Sequence, residues 1–182
     1  MYGTAPRKTT IPLMAVVMVS LLFINRVRCV RAQPAPEDAI QDTETVAEDT
    51  HSPRETLVEF ALKYRGVPYR NGGSTVKGFD CSGFVWFVYH NALHMDVPRS
   101  SRGVWSSGAK TVPLNEALPG DILVFSARKG GSGSINHVAI LIDNDSMIHS
   151  VSDGPRRGII VSPVIDAYFA PRLIGVKRFL DD

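Results

Sequence analysis

One stretch constrains this chain more than any other: Gly78-Phe79-Asp80-Cys81-Ser82-Gly83-Phe84-Val85-Trp86-Phe87-Val88-Tyr89. Small and polar residues give way at once to the large apolar run Phe84 to Val88. Asp80 or a neighbour is a helix cap, and the pattern predicts a helix over roughly 81–93. Wound at about 3.6 residues per turn, that run leaves almost no face for water, so the helix belongs in the middle of a domain. Gly83, near its start, lets another backbone approach closely. Cys81 stands at the junction.

The flanking patterns give the fold class. Leu57, Val58, Ala61 and Leu62 recur at helical spacing after Ser52-Pro53, a cap followed by a first-turn proline, and Gly66 closes that helix. The second half reads as short β-rich runs separated by turns: Asp121 to Phe125, His137 to Ile142, Met147 to Val151, Gly158 to Val161 and Leu173 to Phe179. Helices first and strands after make an α+β domain, with a buried central helix packed on an antiparallel sheet of about five strands. Lys129 to Ser134 is a glycine-rich connection without the Lys-Ser/Thr ending of a phosphate loop.

At 182 residues the chain has room for one compact domain and a tail. The net charge of +2 matters less than its distribution. Residues 1–32 carry five bases and no acid, and residues 33–52 carry six acids and no base. Arg7 and Lys8 before the apolar run Ile11 to Ile24 form an export signal, with cleavage expected after Ala32. An uncleaved anchor and a lipoprotein joined through Cys29 are the alternatives, because Arg26, Arg28 and Arg31 follow the apolar run. Residues 33–52 are a flexible acidic linker, and 53–182 form the domain. No basic run is dense enough for nucleic acid. The chain is therefore expected to be exported, periplasmic or envelope-associated, and to meet membrane only if its N-terminal segment is retained or lipidated. A monomer is expected.

With the signal removed, Cys81 is the sole cysteine, and a solitary thiol in an oxidising compartment is either buried and inert or kept for its reactivity. A helix start favours the thiolate through its unpaired N–H groups and dipole, and the same N–H groups suit an oxyanion. His90 and His94 lie too far along the helix to serve as the base. His137 and His149 open or occupy adjacent predicted strands, so a hairpin could bring them together, one as base to Cys81 and the other orienting it. These residues permit that reading. They equally permit a buried thiol with two core histidines.

The order of motifs decides more. Gly66-Val67-Pro68-Tyr69, Gly72-Gly73, Asp80-Cys81-Ser82-Gly83, Pro98-Arg99-Ser100, Pro119-Gly120-Asp121, His137-Val138-Ala139-Ile140 and Met147-Ile148-His149 follow one another in a series that resembles the NlpC-type cell-wall cysteine peptidases. The resemblance covers about residues 54–180. It implies a papain-like fold and peptidoglycan stem peptides as substrate, cut at the γ-D-glutamyl link to a diamino acid such as meso-diaminopimelate. It implies Cys81 as nucleophile, His137 as base, His149 as its orienting partner and Tyr69 as an oxyanion donor. No metal or organic cofactor is called for. Asp80 matches a residue that contacts a substrate amine in some members, and helix capping explains it equally well. Ser82 and Arg99 are further candidate cleft residues. The chain departs from the family pattern at Ile140-Leu141-Ile142, which lacks an aromatic, and after Arg99-Ser100, which lacks a glutamine. A cysteine acyltransferase or amidase, and a non-catalytic wall-binding domain, are the rival readings.

Overall fold

The computed structural model describes residues 51–154 and 157–181. The expected signal segment, Cys29 and all of the acidic linker except His51 and Ser52 lie outside the described residues.

The first helix, α1 (Pro53–Leu62), opens on a reciprocal cap. Ser52 Oγ accepts from the Glu55 N–H at 3.2 Å, and the Ser52 N–H donates back to the Glu55 carboxylate at 2.8 Å. It ends at Leu62, short of the predicted stop. Lys63 to Gly66 form a tighter turn, closed where the Gly66 N–H donates to the Ile159 carbonyl. A two-residue hairpin, β1 (Ser74–Thr75) and β2 (Gly78–Phe79), leads into α2 (Cys81–Leu93). Asp80 caps α2 by accepting from the Gly83 N–H at 2.6 Å. Phe84, Val85, Val88 and Tyr89 are wholly buried, whereas Trp86 and Phe87 are only partly covered, so the helix is central without being enclosed on every side. Gly83 is required where it stands: a Cβ there would lie 2.0 Å from the Gly73 carbonyl.

A short third helix, α3 (Ser101–Ser106), precedes the sheet and was not anticipated from sequence. The strands are β3 (Lys110–Val112), β4 (Ile122–Ser126), β5 (Ile135–Leu141), β6 (Ser146–Val151), β7 (Gly158–Pro163) and β8 (Leu173–Arg178). They form one antiparallel sheet in the order β3-β8-β4-β5-β6-β7. The sheet has six strands, where the sequence pattern predicts about five. The additional one, β3, is a three-residue edge strand with little alternation to read.

Burial alternates along the central strands. Ile122, Val124, Val138 and Ile140 join the core around α2. Leu123, Phe125, Ala139 and Leu141 join a second cluster with Met147, Val164 and Val176 on the other face. α1 is pinned to the sheet through Asp121, which is completely buried. Its carboxylate receives Arg54 Nη1 at 3.2 Å, Arg178 Nη2 at 2.8 Å and the Leu118 N–H at 2.9 Å.

Candidate active site

The first turn of α2 and the start of β5 meet at one cleft of about 580 Å³. Its walls include Tyr69, Cys81, Asn136, His137, Ser162, Phe169 and Arg172. The Cys81 thiol donates to the Asn136 carbonyl at 3.7 Å, which sets the sulfur beside the backbone that carries His137.

Three side chains form a relay behind it. His137 Nε2 lies 2.8 Å from His149 Nδ1, and His149 Nε2 lies 3.0 Å from Ser162 Oγ. The strands explain the arrangement. In the β6–β7 ladder His149 pairs with Ile160 and Met147 with Ser162, so His149 and Ser162 are diagonal neighbours on one face. Since His137 Nε2 is engaged, Nδ1 is the nitrogen left for the sulfur.

The surroundings of the relay are aromatic. Phe169 stacks on His137 with centroids 5.3 Å apart and meets His149 edge-on at 4.8 Å, and Phe125 packs against His137 at 5.8 Å. His149 is fully buried. Burial, then the neighbouring His149 charge, pulls the His137 pKa down to about 3, and burial pulls His149 down to about 4. Burial pushes the Cys81 thiol up. The N–H groups of Val138, Ser82 and Cys81 itself oppose this without overcoming it. The sequence expectation of a thiol lowered by its helix start is corrected accordingly: the helix contributes in the expected sense, and desolvation outweighs it. Burial in the free site therefore favours the neutral forms of the thiol and of both imidazoles.

Tyr69 also lines the cleft, with its pKa raised by burial and then by the nearby charges of Cys81 and Asp80, so its hydroxyl remains a donor. Asp80, Ser82 and Arg99 are brought together behind the helix start, and none of them is among the cleft-lining residues. Arg99 Nη1 donates to Asp80 at 2.9 Å and to Ser82 Oγ at 3.0 Å, and its Nη2 donates to the Gly73 carbonyl at 2.9 Å. In this state the Asp80 carboxylate is occupied by Arg99 and by the cap to Gly83. His90 pairs with Asp96 at 3.0 Å and stacks on Trp86, away from the thiol.

Ser162, Phe169 and Asn136 went unnoticed in the sequence. The alternation of β7 carries a signal for Ser162, since it shares a face with Ile160 opposite His149. Phe169 comes from the connection between β7 and β8, where no periodicity points inward.

A thiol at the first turn of a buried helix, sharing a cleft with a histidine on an antiparallel sheet, defines a papain-like protein. Residues 66–178 match the model of the NlpC/P60 family, and the chain belongs to that family. It is 38% identical over 123 residues to the "Probable peptidoglycan endopeptidase LytE" of Bacillus subtilis (strain 168), covering 68% of this chain and 34% of that one. It is 32% identical over 124 residues to the "Gamma-D-glutamyl-L-lysine dipeptidyl-peptidase" of the same strain, covering 68% and 40%. The crystal structure of an NlpC/P60 family protein from Bacillus cereus ATCC 10987 superposes with a TM-score of 0.64 at 29% identity, covering 70% of this chain and 40% of that one. The chain thus spans 34% and 40% of the length of these two curated relatives.

Proposed function

We propose that this protein is an exported peptidoglycan hydrolase, a cysteine endopeptidase that cuts stem peptides at the γ-D-glutamyl–diamino acid bond. The observation that carries the reading is that His137 shares a cleft with Cys81 and is bonded from behind through the buried His149 to Ser162. A core thiol and an unrelated core histidine would have no reason to share one open cleft, with a second histidine bonded behind the first. The names of the two relatives, one acting on peptidoglycan and one on a γ-D-glutamyl bond, support the substrate class.

The chemistry follows from the atoms. A neutral imidazole has one N–H. If His149 donates from Nε2 to Ser162, its Nδ1 accepts from His137 Nε2, and His137 Nδ1 is bare. On substrate binding the thiol leaves the Asn136 carbonyl and gives its proton to that nitrogen. The resulting imidazolium keeps the same hydrogen-bond directions, so nothing behind it reorganises. The sulfur attacks the γ-carbonyl carbon, and the oxyanion is held by the Cys81 N–H and the Tyr69 hydroxyl. His137 then passes the proton to the departing amine of the diamino acid, leaving a thioester on Cys81. Water, losing a proton to His137, attacks the thioester, and the proton returns to sulfur as the γ-carboxylate leaves.

The test is digestion of purified muropeptides with the full chain, read by mass spectrometry. The reading predicts a new amine on the diamino acid and a product ending in γ-D-glutamate. Intact substrate, or cleavage only at D–D cross-links, contradicts it. Export is tested by fractionation, with the mature protein expected in the periplasm or envelope.

A further inference from the structure

Phe169 comes from the connection between β7 and β8, and the steps above do not use it. Its neighbours there face solvent: Ile165 is 80% exposed and Tyr168 56%. The Phe169 ring turns inward instead, and a pinned turn holds it so. Asp166 Oδ1 accepts from the N–H groups of Tyr168 at 2.7 Å and Phe169 at 3.2 Å. The Asp166 carbonyl accepts from Ala170 at 2.9 Å, and the Phe169 carbonyl from Arg172 at 2.8 Å.

What the ring covers is the relay. It lies over His137 with 29° between the planes, and it meets His149 at 75°. Phe125 closes in from β4, 5.4 Å from Phe169. Phe169 is half-buried and lines the cleft, so it is a wall between the open cleft and the two imidazoles, and more than core filling. We propose that Phe169 is a positioning residue for the base: it fixes the plane of the His137 ring and keeps solvent from the His137–His149 pair, so that His137 stays able to take the thiol proton in acidic surroundings. The inference rests on the proposed role of His137 and adds to it the residue that protects that role.

The physics is one of hydration. Water around an imidazole stabilises its cation, and phenyl carbon does not replace that water. The Phe169 face offers a cation some attraction, and the lowering of both histidines shows that lost hydration outweighs it. A proton on either ring also opposes one on the other, 2.8 Å away. The remaining ionisable groups of the cleft are Tyr69, Cys81, Asp153, Asp166, Tyr168 and Arg172. Asp166 is spent on the turn, Asp153 is exposed, and Arg172 lies on the Tyr168 ring. The imidazoles bond each other and Ser162, which leaves solvent access as the variable that Phe169 controls.

The test is a pH titration of the full chain with nitrogen-15 in its histidines. It reads the imidazole shifts of His137 and His149, beside kcat/KM on a γ-D-glutamyl peptide over the same range. In wild type the pair should protonate only below about pH 5, and the acid limb of kcat/KM should follow it. Phe169→Ala admits water and should raise both by about 1–2 pH units, a loss of about 10- to 100-fold on the acid side relative to wild type. Phe169→Leu keeps an apolar cover and should move them by less than about half a unit. Wild-type imidazoles that titrate at their ordinary value would overturn the inference with no variant needed. So would a folded Phe169→Ala that titrates within about 0.3 unit of wild type, or that loses rate equally at every pH. A wild type that cuts no such peptide while its imidazoles titrate as expected would overturn the proposed function and leave the shield standing.

Discussion

Replacing Ser162 with alanine removes one oxygen from the far end of the relay. His149 is wholly buried and its Nε2 has Ser162 Oγ at 3.0 Å, so the variant leaves a buried imidazole N–H without a partner. Such a loss costs about 1–3 kcal/mol. The cost falls on the tautomer in which His149 carries its proton on Nε2, which is the one that leaves His137 Nδ1 free. The competing tautomer puts the proton on His149 Nδ1 and forces His137 to carry its own on the nitrogen facing the sulfur. If the whole penalty is expressed in that balance, kcat falls by about 5- to 150-fold. KM should move by less than about twofold, because Ser162 acts through His149 and positions the base. The assay is steady-state hydrolysis of a γ-D-glutamyl-diaminopimelate peptide across pH, with thermal melting in parallel. Ser162→Thr keeps the oxygen and should recover most of kcat. A Ser162→Ala enzyme with kcat within twofold of wild type, or a loss that threonine fails to recover in a folded variant, would refute the tautomer argument.

Three further outcomes follow from the buried groups. The folded His149 value of about 4 lies below its ordinary 6.5, so the native state binds fewer protons there, and stability present above pH 6.5 should be lost as pH falls toward 4. The slope should be about 1.4 kcal/mol per pH unit for this group, and denaturant melts of wild type and His149→Gln at pH 6.0 and 5.0 should diverge accordingly; parallel losses would contradict it. Asp121→Asn strips the charge that Arg54 and Arg178 share, and should lower stability by about 3–5 kcal/mol in urea melts. Because desolvation raises the Cys81 thiol, iodoacetamide labelling of free enzyme should be slow at mildly acidic pH and climb into the alkaline range. Full-rate labelling at pH 5 would show a preformed thiolate instead.

The parts legible in the sequence are those whose signals are local. The run Phe84 to Val88 predicts a buried helix over 81–93, and the helix is α2, Cys81–Leu93. The apolar runs after His137 and around Ile148 predict adjacent strands, which are β5 and β6. The features that escaped are held by distant partners. Arg99 reaches across to Gly73 and Asp80, and Asp121 collects Arg54 and Arg178 from opposite ends of the domain. Spacing says nothing of such pairs. The direction of the thiol shift was equally hidden, because a helix start is visible in sequence and the depth of burial around a sulfur is not.

The central claim is that Cys81 carries the acyl half of the substrate between two steps. Intact-mass measurement of the full chain, quenched in acid during turnover of a γ-D-glutamyl peptide, tests it directly. The account predicts a mass increase equal to the glutamyl acyl fragment, located on the peptide containing Cys81 and absent from Cys81→Ala. Undiminished cleavage by Cys81→Ala, or turnover that never loads the sulfur, would contradict it.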